Sequence, residues 1–91
     1  MYNTLDMTNK LEIFKKKLIY RASYRGTKEM DILLSTFVNK YINSLDETAL
    51  LELEKFLNFE DEILLGFYNQ DIVKKKIDKN KISDLFKNFK I

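Results

Sequence analysis

A chain of 91 residues fits one domain and, at that size, folding buries only about 60 to 65% of the unfolded surface, which argues against a large enclosed active site. With 45% hydrophobic and 33% charged residues it has the make-up of a folded globular protein, and its 16 basic against 14 acidic residues lack the excess that marks a sequence-independent nucleic-acid binder. It has no Cys and no His, which removes disulfides, thiolate and imidazole metal sites, Cys and His nucleophiles, and the commonest general base.

Pro is absent and Gly occurs only at Gly26 and Gly66, so the usual breakers cannot divide the chain into short strands, and an all-α reading follows. After a flexible start over 1–8, the first helical pattern spans about 9–23, with Thr8 as N-cap. Leu11, Phe14, Leu18 and Ala22 return on one face, and Lys15, Lys16 and Lys17 on the other. Beyond a break at Tyr24-Arg25-Gly26, the residues Met30, Leu33, Leu34, Phe37, Val38 and Tyr41 form the broad apolar stripe of a buried helix. Such a stripe is expected to be core rather than a cofactor box.

Ser44-Leu45-Asp46-Glu47 reads as a capping box opening a third helix that carries Leu50, Leu53, Phe56 and Leu57. A fourth helix begins near Glu60 with Ile63, Leu64, Phe67 and Tyr68 on its apolar side, and Gly66 within it costs about 1 kcal/mol relative to Ala. In the segment 79–91, Ile82, Leu85, Phe86 and Phe89 share a face expected to dock on the rest. The whole is a compact single-domain bundle of four to five helices over 1–91, with no internal repeat or linker. No apolar run reaches the roughly 18 residues that span a bilayer, and the first ten residues have neither signal-peptide nor transit-peptide character, so a cytoplasmic location without membrane insertion is expected.

The informative stretch lies between the first two helices, where Arg21, Tyr24, Arg25, Gly26, Glu29 and Asp31 surround a corner. Structural roles account for much of it. Gly26 can follow a helix end at positive φ, Arg25 can complement a helix dipole, Thr27 can cap, and Glu29 and Asp31 can complement the next N-terminus.

Arg25-Gly26-Thr27-Lys28-Glu29-Met30-Asp31, followed by Leu33, Leu34 and Phe37, resembles the Arg-Gly-x-x-Glu motif and the following helix of the SdhE family. The resemblance extends over residues 11–68, through Arg21, Tyr41, Leu45 and the stretch from Leu50 to Phe67. Two departures stand out: the family often has an acidic pair followed by Pro and later a Trp, whereas this chain has Glu60-Asp61-Glu62 without Pro, and Phe67.

The resemblance implies a binding factor and not an enzyme. Family members associate with the FAD-loaded flavoprotein subunit of succinate dehydrogenase and favour a conformation in which that subunit attaches its own flavin to one of its histidines, and a fumarate reductase flavoprotein is the further candidate client. It follows that FAD belongs to the partner and is not bound tightly by this chain. Gly26 is then expected to permit close backbone approach, with Arg25 and Glu29 supplying charged hydrogen bonds. Arg21 and Tyr24 widen the patch, Asp31 either touches the partner or holds an arginine, and Glu60 and Asp61 form its polar rim. A client of this kind faces the bacterial cytoplasm or the mitochondrial matrix, and the lack of transit-peptide character favours the bacterial case.

Two other classes are weighed against this one. A helical nucleic-acid-binding or antitoxin-like module would use Arg21, Arg25 and the lysine triplets 15–17 and 74–76 on phosphates and show steep salt dependence, but the interspersed acids favour solvated faces and no nucleic-acid partner is expected. A hard-cation site at Glu60, Asp61 and Glu62 is disfavoured because three consecutive acids cannot share one helix face, so neither a metal nor a catalytic residue is assigned.

Overall fold

The computed structural model describes residues 2–69 and 77–91, with the backbone alone for 2–8. Among the described residues five helices follow one another: α1 (Tyr2–Ser23), α2 (Lys28–Tyr41), α3 (Glu47–Phe56), α4 (Asp61–Tyr68) and α5 (Lys81–Lys87), with a single 3-10 turn (Ile42–Ser44) after α2. No strand occurs among the described residues. The lysines at 74, 75 and 76 lie outside them.

Helix α1 begins seven residues earlier than its apolar pattern suggested. No Gly or Pro interrupts the chain before Gly26, so the helix continues back to Tyr2, and Thr8 lies within it instead of capping it. Burial along α1 increases toward the corner: Leu11 is 40% exposed, Phe14 is half-buried, and Leu18 and Ala22 are fully enclosed. A helix of 22 residues is about 33 Å long. Among the described residues full enclosure of α1 is reached at Leu18 and Ala22, so Leu11 belongs to the apolar pattern but not to the core. Lys16 and Lys17 are exposed, and Lys15 pairs with Glu12 at 3.8 Å.

Helix α2 packs against α1 and buries Met30, Leu33, Leu34, Phe37 and Val38, with Tyr41 half-buried at its end. Leu34 is completely buried. Its replacement by Ala removes apolar contacts that the surrounding helices cannot fully restore, so Leu34→Ala is expected to lower stability by about 2 to 5 kcal/mol in a denaturant titration. A midpoint equal to wild type would mean that the α2 stripe does not form the core.

The start of α3 differs from the expected capping box. Ser44 Oγ donates to the Tyr41 carbonyl at 2.9 Å and closes the 3-10 turn, while Asp46 takes the N-cap position, its Oδ1 accepting from the Ala49 amide at 2.8 Å. The 3-10 turn occupies the serine, so the cap falls to the next polar residue that has extended backbone geometry. Leu45 and Leu50, which flank this cap at the positions of a hydrophobic staple, are both buried.

Helix α4 starts after Glu60, as its pattern implies, and runs through Gly66 without a break. The C-terminal segment is docked. Asn80 and Ser83 form a reciprocal capping box, each side chain accepting from the other's amide at 2.9 Å, and α5 delivers Ile82 and Phe86 into the core with Phe89 beyond it. Tyr68 of α4 donates its hydroxyl to the Phe89 carbonyl at 2.7 Å, which fixes the end of this segment.

Candidate functional site

The corner between α1 and α2 is built from two local devices. Gly26 has φ +125°, a conformation that L side chains rarely adopt, so the chain can turn sharply after α1. Thr27 then caps α2, its Oγ1 accepting from the Met30 amide at 3.2 Å. Asp31, one turn into α2, reaches back and accepts from the backbone amide of Arg25. Asp31 thereby holds Arg25 through that residue's main chain.

The Arg25 side chain turns inward onto the adjacent α3–α4 connection instead of projecting outward. Its Nη1 donates to the Leu57 carbonyl at 2.8 Å, Nη2 to the Phe59 carbonyl at 2.7 Å, and Nε to Asp61 Oδ1 at 2.9 Å. Only 10% of this side chain is exposed, against 25% for Asp61. Leu57 is the C-cap of α3, and its carbonyl is one of the groups that a helix end leaves without an intrahelical partner. The guanidinium therefore neutralises the negative end of α3 and the acidic start of α4 together. The expected dipole role of Arg25 is real but is played on α3, not on its own helix.

Arg21, one turn earlier, donates to Asn58 Oδ1 and makes a second tie to the same turn. A β-carbon placed on Gly26 would lie 3.9 Å from Asp61 Oδ2, so the turn before α4 stands directly beside the glycine. Arg21, Arg25, Gly26, Asp31 and Asp61 are thus brought together although 40 residues separate the first and the last of them.

The remaining expected site residues lie on the surface around this clamp. Tyr24 is 69% exposed and stacks on Tyr20, itself 65% exposed, with ring centroids 4.6 Å apart. Glu29 and Glu60 are exposed, and Glu60 N-caps α4 without a side-chain hydrogen bond. Glu29 also stands on the rim of a shallow groove of about 290 Å³ whose apolar walls include Ile32, Leu33, Leu65 and Tyr68. Asp61 and Glu62 occupy the first turn of α4, where they complement its dipole. Among the described residues no three acidic groups converge as a cation site would require.

Tyr20 and Asn58 were not identified from the sequence. The spacing of four between Tyr20 and Tyr24 was the available signal for the first. Nothing local marks Asn58, and the Leu57 and Phe59 carbonyls belong to the backbone, which sequence patterns do not report.

Compared with known proteins, residues 16–90 match the family model described as flavinator of succinate dehydrogenase. The chain belongs to that family. The matched range contains the whole corner, and also Glu60-Asp61-Glu62 and Phe67, where the chain departs from the usual pattern. Relatives include succinate dehydrogenase assembly factor 2 of Scheffersomyces stipitis, 41% identical over 51 residues that make up 56% of this chain and 34% of that protein. Succinate dehydrogenase assembly factor 2-A of Drosophila mojavensis is 40% identical over 48 residues, 53% of this chain and 31% of that one. The Danio rerio assembly factor 2 is 38% identical over 48 residues, 53% of this chain and 30% of that one.

The matched segment spans about a third of the length of these relatives. Their names place them in mitochondria, in contrast to the bacterial cytoplasm expected for this chain. No solved structure matches. No described helix is long and apolar enough to cross a membrane.

Proposed function

We propose that this chain is an assembly factor that binds the flavoprotein subunit of succinate dehydrogenase and promotes covalent attachment of its FAD. The observation that carries the reading is Gly26, exposed at positive φ on a corner that lies within the family-matched segment. A residue without a β-carbon at an exposed corner lets a partner's backbone approach closely. Around it, Tyr20 and Tyr24 offer amphipathic rings of the type that dominates protein interfaces, and Glu29 and Glu60 offer charged acceptors. This surface lies on helix ends tied to each other by the Arg25 clamp, so little ordering is required when a partner docks.

In this role the chain supplies no reacting group. It has no His or Cys to accept a flavin, and the partner's own histidine and FAD carry the chemistry. Its contribution is preferential binding to the flavoprotein conformation that is competent for the attachment.

The test is capture of the flavoprotein subunit by the tagged chain from its own cells, together with in-gel flavin fluorescence of that subunit in cells with and without the chain. Capture with loss of covalent flavin in the deletion strain is the expected result. Unchanged flavinylation in that strain would overturn the proposal. The same capture with a fumarate reductase flavoprotein decides whether that subunit is a second client.

A further inference from the structure

We propose that Arg25 and Asp61 are positioning residues for docking, which hold the turn before α4 against Gly26 and do not touch the partner. This rests on the corner being the docking surface. A motif arginine beside an exposed glycine would ordinarily be assigned to the partner. Here each of its three guanidinium nitrogens already has an acceptor within the chain, at 2.7 to 2.9 Å, and two of those acceptors are backbone carbonyls of the α3–α4 connection. Only 10% of the side chain faces solvent, so little of it is left within a partner's reach.

The same fork fixes what stands next to Gly26. Asp61 gives one oxygen to Arg25 Nε and turns the other toward the glycine, while Glu60, the residue before it, is exposed. The backbone amide of Arg25 is held in turn by Asp31. The corner and the start of α4 are therefore one surface because Arg25 joins them. Arg25 acts on the partner through Gly26 and Glu60, and the clamp depends both on the fork geometry and on its pairing with a carboxylate. A lysine keeps the charge, but as a single ammonium it cannot satisfy three separately placed acceptors in this arrangement.

The test is a double-mutant cycle of Arg25→Lys and Asp61→Asn, with affinity for the purified flavoprotein subunit measured at a temperature where circular dichroism shows every variant folded. Arg25→Lys is expected to weaken capture about tenfold. Asp61→Asn should weaken it as well, and the double variant should be no weaker than Arg25→Lys alone, because both act through one clamp. Amide hydrogen exchange over residues 59–64 should accelerate in Arg25→Lys in step with the affinity loss.

Wild-type affinity in Arg25→Lys would overturn the assignment. So would a loss confined to Arg25→Lys with Asp61→Asn unaffected, or strictly additive losses, since either pattern means that Arg25 meets the partner directly. Failure of the wild-type chain to bind the subunit at all would remove the proposed function and this inference with it, a result distinct from any pattern within the cycle.

Discussion

Gly26→Arg should abolish capture of the flavoprotein subunit while leaving the far-UV helical signal intact. The residue is exposed, and the nearest atom that a new β-carbon would meet is Asp61 Oδ2 at 3.9 Å, an ordinary contact, so the first side-chain atom is accommodated. Two costs remain. A non-glycine residue held at φ +125° strains the backbone by about 1 to 3 kcal/mol, and the arginine side chain occupies the space that a partner's backbone would enter. Gly26→Ala separates these, since it carries the strain with only a methyl group. Both variants should shift a urea midpoint downward by a similar amount, while capture should be weakened in Gly26→Ala and lost in Gly26→Arg. Normal capture by Gly26→Arg would place the docking surface elsewhere, and equal loss in both variants would assign the effect to the strained turn.

The helices, their apolar faces and the docked C-terminal segment were legible because each rests on a local period of three to four residues. The Met30 to Val38 stripe and the Ile82, Phe86 and Phe89 set are buried as their spacing implied. Helix starts were less legible, for physical reasons particular to each. Thr8 has the chemistry of a cap, but nothing before it breaks the helix, and Ser44 gave its hydroxyl to a 3-10 turn that no side-chain pattern announces. Leu11 follows the period of α1 but is left exposed by the other described helices, which depends on the relative lengths of packed elements.

At the site, the sequence showed that residues 21–31 were unusual and left the direction of each side chain undecided. Arg25 illustrates the difficulty most clearly. Its partners are a carboxylate 36 residues away and two carbonyls, and neither a motif nor a hydropathy pattern distinguishes an arginine turned inward on such acceptors from one offered to another protein.

Phe86→Ala is expected to have the largest effect on stability, a loss of about 3 to 5 kcal/mol. Phe86 is completely buried in α5, and its ring centroid lies 5.0 Å from Phe37, 5.1 Å from Phe56 and 5.1 Å from Tyr68, so one side chain joins α2, α3 and α4. Truncation forfeits its own burial and leaves three aromatic neighbours facing a cavity that helices at this crossing cannot collapse to fill. Total stability of small domains is only about 5 to 15 kcal/mol, so the variant should be close to unfolding at moderate temperature. Leu51→Ala on the exposed side of α3 is the control, expected within about 0.5 kcal/mol of wild type. The measurement is the urea midpoint of both, followed by circular dichroism. A midpoint for Phe86→Ala near that of Leu51→Ala would mean that α5 is not held to the bundle. In that event α4 loses the support that Tyr68 takes from the C-terminal segment, and Asp61 at its other end would have only Arg25 to fix it beside Gly26.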